Sequence, residues 1–302
     1  MFKRLLVPLD GSRLAESVLP AAVMLAHKLG ASVTLVHIIE KDAPHEVHGE
    51  RHLTTFAEAE PYLERIAREV FPEGVAVDWH VHTAEVEDIT QGIVEHIEEL
   101  HPDLIVMCTH GSGGLRDVLF GSIAQQVVAS STIPVLLIQP GEEEQPPQVF
   151  DCTRMLVPLD GATAHEHGLA AAIELARACS SRVYLLLVVP TADTLSGPPA
   201  ATGRMLPSAT RAVLEMACES GEDYLTAVAE QRSAQGLAVE VTLRRGDEAE
   251  SIVRTAQELE AGVIVLGTHG KKGIDAFWAG SIAPRIVTLS ALPLLLVPIP
   301  GE

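Results

Sequence analysis

Aromatic residues are scarce in this chain, since they make up only 4% of its 302 residues. Hydrophobic residues nevertheless reach 47%, so valine, leucine, isoleucine and alanine must fill the interior. This aliphatic bias is typical of buried parallel strands. A chain of this length is expected to form about two domains of roughly 150 residues each.

Cysteines are also few, and long apolar runs are missing. The cysteines include no C-x-x-C pair, which predicts reduced thiols in a cytoplasmic protein. No apolar run approaches the roughly 20 residues of a membrane span. Residues 1–5 lead directly into a predicted strand and lack the pattern of a signal peptide, so we expect a cytoplasmic location. The four cysteines are Cys108, Cys152, Cys179 and Cys218.

Basic residues are outnumbered, with 21 lysines and arginines against 41 aspartates and glutamates and a net charge of −20. A diffuse anionic surface argues against nucleic acids and anionic membranes as partners. It does not exclude a small anionic ligand, because backbone N–H groups and nearby lysines set the field inside a pocket.

What the chain does contain is an internal duplication. The segment Leu-Val-Pro-Leu-Asp-Gly occurs at residues 6–11 and again at 156–161. Thr-His-Gly at 109–111 is followed after nine residues by Gly121-Ser122, and Thr-His-Gly at 268–270 is followed after nine residues by Gly280-Ser281. The repeats predict two copies of one domain, at 1–140 and 153–302, joined by an acidic, proline-bearing linker at 141–152.

Both repeats alternate short apolar strands with helical patterns, which predicts tandem doubly wound, Rossmann-like α/β domains with five parallel strands each. Ligands of such folds lie beyond the carboxyl ends of strands one and four. The loop at about 190–207 is rich in small residues and is predicted to be mobile. The predicted strands are Leu5–Leu9, Val33–Ile39, Val75–Val81, Leu104–Cys108 and Val135–Ile138, then Met155–Leu159, Val183–Val189, Ala238–Leu243, Val263–Gly267 and Leu294–Val297. Helices are predicted over about 14–29, 55–70, 86–100 and 122–130 of the first repeat.

The glycines of the second repeat have the spacing G-x2-G-x9-G-S, which suits a phosphate. Gly267 ends a strand, and Gly270 permits a positive φ that turns successive N–H groups toward one anion. Gly280 and Ser281 begin a helix, where free N–H groups, the helix dipole and a hydroxyl favour phosphate oxygens. Lys271 and Lys272 add positive charge nearby.

This spacing, together with Val-Pro-Leu-Asp-Gly at strand one, resembles the ATP-binding subclass of the universal stress protein family, in a tandem form covering nearly the whole chain. The resemblance implies that Asp160 and Gly161 lie by the nucleotide, and that a residue near Val188 or Val189 meets the adenine. It further implies ribose and phosphate contacts from the glycine string, in which we include Gly267, Thr268, His269, Gly270, Lys271, Lys272, Gly273, Gly280, Ser281 and Ile282.

The first repeat departs from the pattern, because Cys108 stands where the second has Gly267. Its sulfur is expected to intrude where a ligand must approach, and Ser112 and Gly113 replace the two lysines, with Arg116 as a partial substitute. We expect ATP in the second repeat, and weak binding, a smaller nucleotide or no ligand in the first. The matching positions that remain are Asp10, Gly11, Gly111, Gly121 and Ser122.

Simpler interpretations stay open for several of these residues. Glycine turns at strand ends are common architecture, and an aspartate after a strand often caps the following helix. His110 and His269 share a repeat position, but no partner carboxylate or nucleophile matches them, so a hydrogen bond within the loop is favoured over acid catalysis. Accordingly, no catalytic residue is predicted.

Histidines cluster in the loop after strand two of the first repeat. His45, His48 and His52 have spacings of three and four residues, which could bring them onto one helical face as ligands for zinc. The alternative is a set of solvent-exposed loop histidines. His80 and His82 on strand three are expected to be packing or edge residues.

The predicted function is that of a cytoplasmic, ATP-binding, stress-response regulatory protein, with Mg²⁺ arriving with the triphosphate. Slow ATP hydrolysis is compatible with it. Two alternatives are a nucleotide hydrolase or phosphotransferase, and a structural interaction module that binds no nucleotide. Family resemblance also implies that the last strands, Val135–Ile138 and Leu294–Val297, pack together, so that one chain mimics a dimer of single-domain proteins. A homodimer of two such chains stays open, and a hydrodynamic mass measurement distinguishes it from a single chain.

Overall fold

The computed structural model describes residues 2–41, 46–47, 50–86, 89–109, 121–140, 150–161, 166–269 and 282–299. The chain folds into two compact units. The first comprises Met1–Phe150, Thr268–Ser281 and Ala291–Glu302, and the second comprises Asp151–Gly267 and Ile282–Ser290. None of the described helices is both long and apolar enough to cross a membrane.

The first repeat alternates strands and helices as its sequence predicts. Each main strand is a run of aliphatic residues, and β6 is buried at every position. Continuous burial is expected of a parallel strand covered on both faces. The elements are β1 (Arg4–Pro8), α1 (Arg13–Glu16), α2 (Leu19–Leu29), β2 (Ser32–Glu40), β3 (Glu46–Val47), β4 (Glu50–Arg51), α3 (Phe56–Glu69), β5 (Val77–Val86), α4 (Ile89–Leu100), β6 (Leu104–Cys108), α5 (Ser122–Ser130) and β7 (Val135–Ile138).

The second repeat gives β8 (Arg154–Leu159), α6 (His167–Cys179), β9 (Arg182–Val189), α7 (Gly197–Met205), α8 (Pro207–Ser233), β10 (Ala238–Arg245), α9 (Glu248–Glu258), β11 (Val263–His269), α10 (Ala283–Leu289) and β12 (Leu294–Ile299). The sheet of the second unit has the order β10-β9-β8-β11, and its strands pair in parallel.

The sheet of the first unit has the order β5-β2-β1-β6-β7-β12. Its first five strands pair in parallel, so the predicted doubly wound α/β fold is confirmed. The order changes direction between β1 and β6, where Leu5 pairs with Leu104. Such a switch point opens a crevice at the carboxyl ends of the two strands.

The last strands of the two repeats pair with each other, as predicted. β12 runs antiparallel to β7, with Leu294 opposite Leu137 and Leu296 opposite Val135. Both strands are strongly apolar, and each would otherwise present an exposed edge to solvent. By its contacts, β12 therefore belongs to the first unit although it is encoded in the second repeat.

One helix prediction and one loop prediction were wrong. The helix expected over 14–29 is interrupted after Glu16 and restarts at Leu19, because Pro20 has no N–H to continue the hydrogen-bond ladder and suits only a first turn. The segment 190–207, predicted as a mobile loop, contains α7. Pro198 and Pro207 occupy the first turns of α7 and α8, where proline is compatible with a helix.

The prediction of four reduced thiols was also wrong. Cys152 and Cys179 form a disulfide with 6.2 Å between their Cα atoms, and they are 27 positions apart in sequence. The start of β8 and the end of α6 bring them together, a long-range contact for which no local spacing gives a signal. Cys108 and Cys218 take no part in a disulfide among the described residues.

The described part of the histidine loop contains a short strand pair. Glu46–Val47 and Glu50–Arg51 pair as antiparallel strands. His45 and His48 lie outside the described residues, and His52 is buried. The zinc site predicted for these three histidines is therefore left as a prediction.

Candidate functional site

The two repeats place the same motif at the end of their first strand, but the surroundings differ. In the second unit Asp160 and Gly161 are exposed, and Gly161 has a φ of +85°. A Cβ built on Gly161 would have one neighbour within 4 Å among the described atoms, Leu187 Cδ1 at 3.7 Å. This strand end is therefore open in front of the bare backbone.

In the first unit the matching glycine is covered. Gly11 also has a positive φ, of +90°, but a Cβ built on it would lie 2.7 Å from Leu53 Cγ and 2.8 Å from Leu53 Cδ1. Leu53 thus occupies the space directly above Gly11. A ligand that needs close approach to this backbone would have to displace it.

A histidine holds Leu53 in that position. His37 is buried near the end of β2, with Nδ1 2.8 Å from the Leu9 carbonyl oxygen and Nε2 3.0 Å from the Leu53 carbonyl oxygen. Burial lowers the pKa of His37, although the two carbonyls and Asp10 act in the opposite direction. The neutral imidazole has one N–H, so it donates to one of these carbonyls and contacts the other, and the side chain lies between the end of β1 and the segment that covers Gly11.

Asp10 is engaged by its own loop. Its Oδ1 accepts hydrogen bonds from the Ser12 N–H at 2.9 Å and the Ser12 hydroxyl at 2.6 Å. Ser12 Oγ in turn accepts from the Ala15 N–H and caps α1. Asp10 therefore orients Ser12, and Ser12 rather than Asp10 is the N-cap of α1.

Comparison with known proteins gives this arrangement a family. The sequence profile of the universal stress protein family matches residues 1–139 and again residues 152–298. The chain belongs to the universal stress protein family. Its membership of this family and its tandem form confirm the resemblance that the duplicated motifs indicated.

Similar proteins include both tandem and single-repeat family members. Universal stress protein Rv2319c of Mycobacterium tuberculosis is 25% identical over 312 residues, which covers 95% of this chain and 96% of that protein. Universal stress protein MJ0531 of Methanocaldococcus jannaschii is 26% identical over 149 residues, covering 49% of this chain and 84% of that protein. The crystal structure of a universal stress protein from Archaeoglobus fulgidus has a TM-score of 0.71 at 18% identity and covers 98% of both chains, which supports the fold.

Carboxylates and one arginine surround the open strand end of this universal stress protein. Asp247 caps α9 through the Glu250 N–H and pairs with Arg285 of α10 at 2.9 Å. Glu248 reaches solvent, yet desolvation raises its pKa, and the charges of Asp160 and Asp247 raise it further. Asp160 therefore faces a negative local field that Arg285 offsets in part.

A tyrosine lies near a glutamate of the same repeat position in both units, a pairing that sequence reasoning missed. In the second unit Glu166 accepts hydrogen bonds from the Tyr224 hydroxyl at 3.0 Å and from Arg232 at 3.5 Å. In the first unit burial, followed by the neighbouring Glu16 carboxylate, raises the pKa of Tyr62. Glu16 and Glu166 stand at the same repeat position, and that match was the available signal.

The end of β9 places Val188 and Val189 beside β10. Val188 is half-buried, Val189 is buried, and the Val189 carbonyl accepts from the Gly246 N–H at 3.1 Å. The side chain that lies against Gly161 is that of Leu187. Leu187 was not in the predicted set, and its alternating position on the strand was the signal that could have found it.

Gly267 takes part in packing between a helix and a strand. A Cβ built on Gly168 would lie 2.8 Å from the Gly267 backbone nitrogen, so the start of α6 approaches the end of β11 closely. At the matching place Cys108 is buried, with its sulfur 3.7 Å from the Ser17 hydroxyl oxygen. The close approach therefore depends on the missing Cβ of Gly168, and the Cys108 sulfur lies against the end of α1.

The remaining predicted positions are only partly described. The Thr268 hydroxyl donates to the Val297 carbonyl at 3.3 Å within the first unit. The Gly121 N–H, expected to face a phosphate, donates to the Thr109 carbonyl at 2.7 Å, and Ser122 is exposed. His269 ends β11 and Ile282 is the N-cap of α10. The predicted residues outside the described ranges are Gly111, Gly270, Lys271, Lys272, Gly273, Gly280 and Ser281.

Proposed function

We propose that this universal stress protein is a nucleotide-binding regulatory protein that holds ATP at the strand ends of its second repeat. The first repeat is proposed to stay empty, or to bind nucleotide much more weakly. In this proposal ATP occupancy changes the shape or the partner binding of the chain, and turnover is at most slow.

The contrast between Gly161 and Gly11 is the observation that carries the proposal. Both follow the same Leu-Val-Pro-Leu-Asp sequence and both have a positive φ. Among the described residues, no side chain covers Gly161, which is exposed, while Leu53 fills the space above Gly11. A ligand that contacts this backbone must occupy the space above the glycine. A single leucine side chain, with four carbons, is enough to exclude the ligand from that space.

Electrostatics favour a metal-bound triphosphate over a bare one. Asp160, Asp247 and Glu248 give the open end a negative field, which Arg285 only partly offsets. A Mg²⁺ ion carried by the triphosphate reduces the repulsion that a bare polyphosphate would meet there. The lysines and glycines of 270–281 supply the positive charge and N–H donors in this proposal, on the sequence alone.

We also propose a cytoplasmic location, which gives the disulfide a particular meaning. Cytoplasmic disulfides are typically transient or redox-sensing. Cys152 and Cys179 are then expected to be thiols in unstressed cells and to pair during oxidation. Rapid alkylation of thiols in lysed cells, before and after an oxidant pulse, measures the two forms.

The principal test is nucleotide stoichiometry with paired glycine variants. Nucleotide released from freshly denatured protein is identified by mass and counted, and a value near one ATP per chain is expected. Gly270→Val is expected to reduce ATP affinity at least tenfold, because a branched side chain strongly disfavours the positive φ that the sequence predicts at this position. Gly111→Val, the same change in the first repeat, is the matched control and is expected to leave affinity unchanged.

Three outcomes would contradict the proposal. Two nucleotides per chain in the unaltered protein would refute the difference between the repeats. Unchanged ATP affinity in Gly270→Val would refute the location, and absence of nucleotide binding altogether would favour a structural interaction module.

A further inference from the structure

Three histidines of the first unit converge at a place that the nucleotide proposal does not use. His80 and His82 lie on β5, two residues apart and therefore on one face of the strand, and His96 lies on α4. Each offers a ring nitrogen, and these three atoms lie within 4.8 Å of one another. The ring centroids of His80 and His82 are 4.9 and 5.1 Å from that of His96.

We propose that His80, His82 and His96 form a binding site for Zn²⁺. Imidazole nitrogen is a preferred ligand of zinc, and three protein ligands with water in the fourth position make a common tetrahedral site. Zinc holds each nitrogen at about 2.0 to 2.1 Å, which places ligand nitrogens about 3.4 Å apart. Small rotations of the half-exposed His80 and His82 rings bring the set to that spacing.

His96 has the orientation that a metal ligand requires. Its Nδ1 lies 2.6 Å from the Gly92 carbonyl oxygen, an acceptor, so the proton is on Nδ1 and the lone pair is on Nε2. Histidines that bind metals commonly donate their other N–H to a backbone carbonyl in this way. His96 Nε2 is buried and has no hydrogen-bond partner among the described residues. A buried nitrogen lone pair without a donor is unfavourable, and a cation would satisfy it.

The local charges also suit a cation. Burial and the neighbouring His96 and His82 rings lower the pKa of His80. Glu99, one turn beyond His96 on α4, acts in the opposite direction on His80 through its negative charge. The same negative charge favours a divalent cation placed between the rings.

The proposed ion would join β5 to α4. β5 is the outermost strand of the first unit's sheet, paired with β2 along one edge. A metal bridge from this strand to the following helix restricts the β5–α4 connection and stabilises the folded state by mass action. Zinc is therefore expected to act on the stability of the first unit rather than on nucleotide chemistry.

Calorimetric titration of the chelator-stripped full-length chain with ZnCl₂ tests the proposal. One zinc per chain is expected, with a rise in melting temperature, and Co²⁺ in place of zinc is expected to give the visible absorption of a tetrahedral nitrogen site. His82→Ala, which changes a half-exposed side chain, is expected to weaken binding at least tenfold and to abolish the zinc-dependent rise. Equal melting temperatures of variant and parent in EDTA establish that the variant folds. If the two temperatures differ, His82→Gln is used in place of His82→Ala.

Two matched controls separate this site from other histidines. His27→Ala removes an exposed histidine on α2 and is expected to bind zinc as the parent does. His48→Ala tests the loop predicted from sequence as the alternative zinc site. Loss of binding in His48→Ala with retention in His82→Ala would overturn the proposal, as would absence of heat and of stabilisation at a tenfold molar excess of zinc.

Discussion

The two strand-one ends carry the same six-residue sequence, yet one is covered and the other is open. The difference arises at one repeat position outside that sequence. This position is His37 in the first repeat and Leu187, 150 residues later, in the second. His37 contacts two backbone carbonyls and holds Leu53 over Gly11, whereas Leu187 packs beside Gly161 and leaves it open. A duplicated motif can thus keep its backbone shape while its access is set by a neighbouring strand.

The residues at the start of strand one and at the end of the following helix also differ between the repeats. Cys152 and Cys179 form a disulfide in the second unit, and the same positions in the first unit are occupied by Phe2 and Leu29, both buried. The join between the start of strand one and the end of the following helix is therefore covalent in one unit and hydrophobic in the other. Ser180 follows the disulfide in a left-handed conformation, φ 55°, where the first unit has Gly30.

Removing the cover is expected to have the largest effect on this comparison. Leu53→Ala opens the space above Gly11, and a second, weaker ATP-binding event is expected in calorimetric titration. The half-buried position predicts a loss of about 1 to 2 kcal/mol in unfolding free energy, at the low end for leucine truncation. Leu206→Ala, which truncates an exposed leucine in the second unit, is the control and is expected to leave one binding event.

If Leu53→Ala still binds one nucleotide, access is not what separates the repeats. The remaining explanations would then be local. Cys108 replaces Gly267, and the Gly121 N–H is already bonded to Thr109. A Cys108→Gly variant in the Leu53→Ala background distinguishes the first of these from the second.

The sequence predicted the strands and their parallel arrangement from the duplication and from continuous apolar runs, whereas the pairing of the last strands was implied by the family resemblance. The cover over Gly11 could not be predicted, since it depends on a carbonyl of Leu53 meeting His37 across a loop. The same holds for the histidine group, where His96 is far in sequence from His80 and acquires its role only when α4 packs beside β5. Leu187 could be predicted in part. Strand alternation indicates on which face of β9 its side chain lies, but it does not indicate that this side chain contacts Gly161.

The disulfide predicts an effect confined to the second unit. Reduction is expected to lower its unfolding free energy by about 3 to 4 kcal/mol, the loop-closure value for a separation of 27 residues. Calorimetric scans with and without reductant measure the difference. A chain with both Cys152→Phe and Cys179→Leu, the residues of the first unit, is the control, and its melting is expected to be insensitive to reductant. An equal response of parent and control would show that the bond contributes no stability.

Acidification is expected to have the smallest effect and to act through the first unit. Burial lowers the folded-state pKa of His37 below its ordinary value of 6.5, so the unfolded chain binds the proton more readily. The stabilising contribution of His37 is therefore complete above about pH 6.5 and is lost as the pH falls toward the folded-state pKa, with a slope of at most about 1.4 kcal/mol per pH unit. Urea midpoints from pH 8 to pH 5 measure this loss in the parent.

His37→Leu supplies the reference for that slope, because it installs the residue of the second unit. The groups that act on His37 are Asp10, His52 and the Leu9 and Leu53 carbonyls, and only His37 is removed in this variant. The variant is expected to lose less stability than the parent below pH 6.5, and to show the second ATP-binding event of Leu53→Ala. Equal losses of unfolding free energy in parent and variant would assign the acid sensitivity to other groups. A single ATP-binding event in the variant would mean that packing alone, without His37, holds Leu53 over Gly11.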